Sequence, residues 1–199
     1  MKTVWKPVLP FVAAVLLIAA CARQGSPLLS DPDPYDAPLP PFSTPVTQEE
    51  IRLAHYAYSG PAIVRKLTEG NAENWNMIMD RISNGDENWI TYVNYIAPGT
   101  DAGTTTDLIV SMAYGLSKNP SAVLAQGSHG FGFSLEQLCS LPFIEPTYDF
   151  VKNYGQETLE ALQQVDKPYL TDARDTCIRR LRDSLGYCDE IYVKGEWVD

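Results

Sequence analysis

Two histidines, four cysteines and 25 acidic side chains are the residues of this 199-residue chain with chemistry to offer. His129 stands in Gly127-Ser128-His129-Gly130-Phe131-Gly132-Phe133. Its glycines let backbone N–H groups converge, and the loop feeds a helix expected from Ser134, so an anion has a place to bind. The loop nevertheless lacks the lysine of a phosphate-binding loop, follows no strand, and holds Ser128 outside any Gly-x-Ser-x-Gly elbow. It reads better as a flexible connection. Phe131 and Phe133 are then candidate partner contacts, since aromatics beside adaptable glycines suit interface hot spots. His55 lies four residues after Ile51 and reads as a partly buried, hydrogen-bonded side chain of a first helix.

The carboxylates are numerous, but nothing selects two of them as a glycosidase-like acid and base. Asp31, Asp33 and Asp36 have a spacing reminiscent of a calcium loop, without its glycine or its closing glutamate. Two isolated histidines make a poor supply of metal ligands, and no Cys-x-x-Cys spacing supports a zinc or redox role. The expectation is therefore a protein that is not an enzyme and carries no metal and no cofactor. The formal net charge of −10 argues against nucleic acid, whose affinity comes largely from Lys and Arg at phosphates. A basic protein partner fits that balance.

The N-terminus has its own logic. Lys2 and Lys6 precede an apolar run from Val8 to Ala20, interrupted only by Pro10. A spanning helix needs roughly 20 apolar residues, so the run suits a signal rather than a stable span. Leu17-Ile18-Ala19-Ala20-Cys21 resembles the lipobox of bacterial lipoproteins. That resemblance implies removal of residues 1–20 and lipidation of Cys21, giving an anchor of two or three acyl chains. Each buried CH₂ adds about 0.8 kcal/mol, so such an anchor is effectively permanent. It also implies attachment to the outer membrane, facing the periplasm, because Ala22 stands where inner-membrane retention in enteric-type envelopes uses an aspartate. Without Lys2 and Lys6, the 15 basic side chains fall to 13 against 25 acids, a mature charge of −12.

Residues 21–45 hold the candidate lipidated cysteine and seven prolines, a density that no helix or sheet interior accepts. They predict an extended tether. Residues 46–199 predict an all-α domain, a compact array of short packed helices with a short extended C-terminal tail. Thr47 and Glu50 form a capping box before Ile51. Trp75, Ile78, Met79 and Ile82 recur at i, i+3, i+4, i+7, and Trp89, Tyr92, Val93 and Ile96 repeat the pattern, each tryptophan following Glu-Asn. Ile109, Met112, Ala113 and Leu116 give another stripe, and Ser134 with Gln137 a second capping box. Two longer helices are expected at about 148–165 and 170–185, with Gly186 as a stop before a strand-like tail from Ile191 to Val198.

With Cys21 lipidated, three cysteines remain for an oxidising compartment, which implies one disulfide and one spare thiol. Cys139–Cys177 is favoured, because both lie on predicted helices beside apolar positions. Cys177–Cys188 is its rival, and all three staying reduced is the remaining alternative. The sequence thus leads to a membrane-anchored, periplasmic, protein-binding domain. An inhibitor or immunity factor against a toxin or cell-wall hydrolase is one version; a structural component of an envelope or secretion assembly is the other, and a cell-wall hydrolase is the less favoured enzymatic alternative.

Overall fold

The structure, a computed structural model, describes residues 38–127, 133–195 and 197. The signal segment, Cys21, Phe131 and His129 lie outside them. Nine α-helices follow in chain order among the described residues: α1 (Gln48–Ala57), α2 (Gly60–Thr68), α3 (Glu73–Ser83), α4 (Glu87–Ile96), α5 (Ala102–Lys118), α6 (Pro120–Gly127), α7 (Leu135–Leu138), α8 (Tyr148–Gln163) and α9 (Thr171–Val193). No strand occurs among those residues. The all-α reading holds.

Local sequence explains most helix starts. Thr47 Oγ1 accepts from the Glu50 N–H, while Glu50 Oε2 accepts from the Thr47 N–H at 2.8 Å. Asp101 with Thr104 starts α5 in the same reciprocal way, and Ser134 with Gln137 starts α7. Such pairs satisfy the orphan donors of a first turn.

Helix α5 is the axis of the fold. It packs along α3 on one side and α8 on another, with α6 and α7 also against it. Its buried stripe is Leu108, Ser111, Met112, Ala113, Gly115 and Leu116. Gly115 sets the closeness of the α3 contact, because a Cβ there would lie 2.5 Å from the Ile82 carbonyl oxygen. From α8, the Tyr154 hydroxyl donates to the Ala113 carbonyl at 2.9 Å inside the core. One continuous apolar core results, in which Ile51, Ile63, Ile78, Ile90, Leu124 and Leu138 are fully buried.

Two boundaries differ from the sequence reading. Leu39 and Phe42, inside the expected tether, pack against the core, and Val46 is buried. Asn74 fixes this segment: its Oδ1 accepts from the Val46 N–H at 2.8 Å and its Nδ2 donates to the Ser43 carbonyl at 2.9 Å. Prolines exclude regular structure, but they do not exclude an extended strap held by side chains. The packed body therefore begins by about Leu39.

At the other end the expected extended tail is helical as far as Val193. Gly186 costs about 1 kcal/mol relative to alanine in a helix interior, and α8 offsets it. The Tyr148 hydroxyl donates to Asp189 at 2.8 Å, Lys152 Nζ reaches both Asp189 oxygens at 2.9 Å, and Tyr148 stacks on Tyr192 at 3.8 Å. The stop falls instead after Lys194, where Gly195 takes a φ of +72°.

Candidate functional site

Beside α5 the helices leave a groove of about 650 Å³, a volume typical of ligand pockets. Three pieces of chain line it. From α3 come Trp75, Asn76 and Met79, with the Trp75 and Met79 side chains, one turn apart, forming a buried floor. From α5 come Thr106, Asp107, Val110, Ser111 and Tyr114, the border of its buried stripe. The far wall is Phe143, Ile144, Pro146 and Thr147, continued by Phe150 in the first turn of α8.

That wall is built by an unusual turn. Pro142 and Pro146 forbid helix continuation on either side of Phe143-Ile144-Glu145. Leu141 and Glu145 both take left-handed conformations, at φ +59° and +46°, each costing on the order of 1–3 kcal/mol. The turn tucks Phe143 among Tyr114, Phe150 and Tyr154, at centroid distances of 5.0, 5.0 and 4.7 Å. It leaves Ile144 75% exposed at the rim, opposite a Tyr114 that is 39% exposed.

The polar feature is Asp107. Its Oδ2 accepts from the Trp75 indole N–H at 3.1 Å, joining floor to rim. Among the described residues, Asp107 is the one acidic or basic side chain lining the groove. No described cation forms an ion pair with it. The other polar side chains of the lining are the hydroxyls of Thr106, Ser111, Tyr114 and Thr147 and the Asn76 amide.

The residues singled out from sequence fare differently. Cys139 and Cys177 form a disulfide, S–S 2.02 Å, between the C-terminal end of α7 and the second turn of α9, and both are buried. Cys188 is free and half-buried, and burial, then the charge of Asp189, pushes its thiol pKa up, so it rests as the thiol. Phe133 is 5% exposed within the core and offers no surface to a partner. It precedes the Ser134 cap, and Leu138 lies four residues into the helix. These are the two positions of a hydrophobic staple, and both are buried. Phe131 lies outside the described residues, so only its partner has been placed. His55 is exposed rather than partly buried, and it meets the edges of Tyr95 and Tyr56 at 4.9 and 5.8 Å.

Sequence reasoning passed over Asp107, Tyr114, Phe143, Ile144 and Phe150. One signal was present: Phe143-Ile144 between two prolines puts large apolar side chains on a segment that cannot be helical. Among the described residues, no three His, Cys, Asp or Glu side chains come together as a metal site, and no helix is long and apolar enough to cross a membrane. Compared with known proteins, the chain matches no family model, no curated protein and no solved structure.

Proposed function

We propose that this chain is an outer-membrane lipoprotein, cut before Cys21 and anchored through that acylated cysteine. Its helical domain faces the periplasm and binds another protein rather than converting a substrate. The observation that carries the binding role is the groove, whose aromatic wall and exposed Ile144 rim resemble an interface pocket more than a reaction site. A lone carboxylate among hydroxyls supplies neither a nucleophile–base pair nor the two carboxylates of a glycosidase. The net charge of −10 suits a basic partner, as an inhibitor or immunity factor against a toxin or cell-wall hydrolase would meet.

The lipidation half of the proposal is tested by mass spectrometry of the mature N-terminus, which should be an acylated Cys21. A different, unmodified terminus refutes it. The binding half is tested by capture from periplasmic extract on the detergent-solubilised full chain. One stoichiometric partner is expected, with an association rate that falls as salt rises, lost when Ile144→Asp spoils the rim. Undiminished capture by that variant moves the interface elsewhere, and hydrolysis of peptidoglycan by the purified chain overturns the non-enzymatic reading.

A further inference from the structure

We propose that the groove receives one cationic side chain of the partner, an arginine in preference to a lysine, with its charged end on Asp107. The partner's being a protein rests on the binding role above; the chemistry of the site rests on the groove alone.

The carboxylate is held in place. The Trp75 indole, 3% exposed and fixed by the core, donates to Oδ2 at 3.1 Å. A neutral donor orients the group without cancelling its charge. Oδ1 is left with no hydrogen bond or ion pair from a described residue, while the side chain as a whole remains exposed. Asp189, by contrast, has a cation of its own chain in Lys152. Among the described residues Asp107 has none, and those that line the groove include no Lys, Arg or His to supply one.

The ring wall selects in the same direction. Aromatic faces carry the negative end of the ring quadrupole, so a ligand head that meets the face of Tyr114 or Phe143, both of which line the groove, is favoured as a cation and disfavoured as an anion. Volume admits a long cation, and the chemistry of its head decides which. A space of about 650 Å³ accommodates a long side chain whose stem lies on the apolar wall and whose head meets the carboxylate. A guanidinium stacks on rings, pairs with carboxylate through a planar fork and is less strongly hydrated than an ammonium. Arginine fits every term of the site.

The test uses the full chain in detergent, with the Trp75 indole N–H resonance as reporter, identified by its loss in Trp75→Phe. The probes are N-acetyl-arginine methylamide, its lysine analogue, and the citrulline analogue, a neutral near-isostere of arginine. A saturable millimolar shift with arginine is expected, several-fold weaker with lysine and at least tenfold weaker with citrulline. Asp107→Asn keeps an oxygen acceptor for the indole while removing the charge, and should abolish the arginine response. Tyr114→Ala, at an exposed position, should weaken it severalfold. No saturable shift, an equal response to citrulline, or an undiminished response in Asp107→Asn overturns the inference. The two proposals fail separately. An arginine response without any captured protein supports the cation site and removes the protein partner. A captured partner that binds Asp107→Asn as tightly as the native chain leaves the binding role standing and overturns the arginine site.

Discussion

Helices α3 and α4 open on the same three residues, Glu73-Asn74-Trp75 and Glu87-Asn88-Trp89, and then diverge in what those residues do. Both tryptophans are buried, at 3% and 8% exposure, and both start a stripe of apolar residues facing the core. In α3 the first turn is turned outward to other parts of the chain. Ala72 precedes it at φ +52° without capping it by a side chain, Asn74 clasps residues 43 and 46, and Trp75 reaches Asp107. In α4 the first turn closes on itself, with Asp86 accepting from the Asn88 N–H. Trp89 then leads into an aromatic series through Tyr92 and Tyr95 to His55 on α1, with centroid distances of 6.4, 5.2 and 4.9 Å. The shared residues build the helix and bury the indole. Whether the indole nitrogen serves a groove depends on which helix lies alongside.

The largest effect should be common to the two regions. Trp75→Ala and Trp89→Ala are each expected to lower the unfolding free energy by about 3–5 kcal/mol in denaturant titrations. If either cost less than about 1 kcal/mol, the equivalence of the two buried indoles would be wrong.

The disulfide should separate them. Cys139 and Cys177 stand 38 residues apart, and closing such a loop contributes about 4 kcal/mol on the chain-entropy model. The interval contains the Phe143–Phe150 wall of the groove and none of the aromatic series that runs from Trp89 to His55. Replacing both cysteines by alanine should therefore shift the Trp75 indole resonance more than that of Trp89. Equal displacement of both would mean that the bond steadies the whole body and not the groove wall.

A smaller contrast lies one residue earlier. Asn74→Ala removes both hydrogen bonds to the 43–46 strap and should cost about 1–2 kcal/mol. Asn88→Ala, which keeps the backbone bond to Asp86, should stay within about 0.5 kcal/mol. Limited proteolysis gives a second reading, since Asn74→Ala should expose cleavage sites near Phe42 and Asn88→Ala should not.

The smallest effect is electrostatic. Desolvation tends to raise the pKa of Glu50, but it is outweighed by hydrogen bonds from the Ser43 and Thr47 hydroxyls and N–H groups, which hold the carboxyl at about 2 against an ordinary 4.5. A depressed carboxyl stabilises the fold above its unfolded pKa and loses that contribution as pH falls from 4.5 towards 2. The side chain is half-buried at the surface, where solvent still screens it and keeps the effect small. A carboxyl-carbon NMR titration should find the midpoint well below that of a free glutamate, and Ser43→Ala should move it upward. An ordinary midpoint in the native chain would mean that the strap is not closed at that end.

What the sequence determined by itself is local. Periodicity places Trp75, Ile78, Met79 and Ile82 on one face, because 3.6 residues per turn leaves no other arrangement that buries them together. Reciprocal capping pairs three residues apart mark the starts of α1 and α7 without drawing on any tertiary contact. The pairing of Cys139 with Cys177 was legible as a preference, since both sit at apolar helix positions, and only helix packing selected it over Cys177–Cys188.

The tertiary structure decided the rest, because the rest depends on residues distant in the chain. The strap at Leu39–Val46 is held by Asn74, and the helix past Gly186 is held by Tyr148 and Lys152. Neither partner lies within the stretch that it stabilises. Phe133 reads as an exposed aromatic beside glycines until its staple position buries it. Asp107 reads as one of many acids until α3 sets the Trp75 indole beside it and the Pro142–Pro146 turn raises a wall of rings opposite. A groove is the space between elements, and its shape follows from their packing rather than from the composition of any one of them.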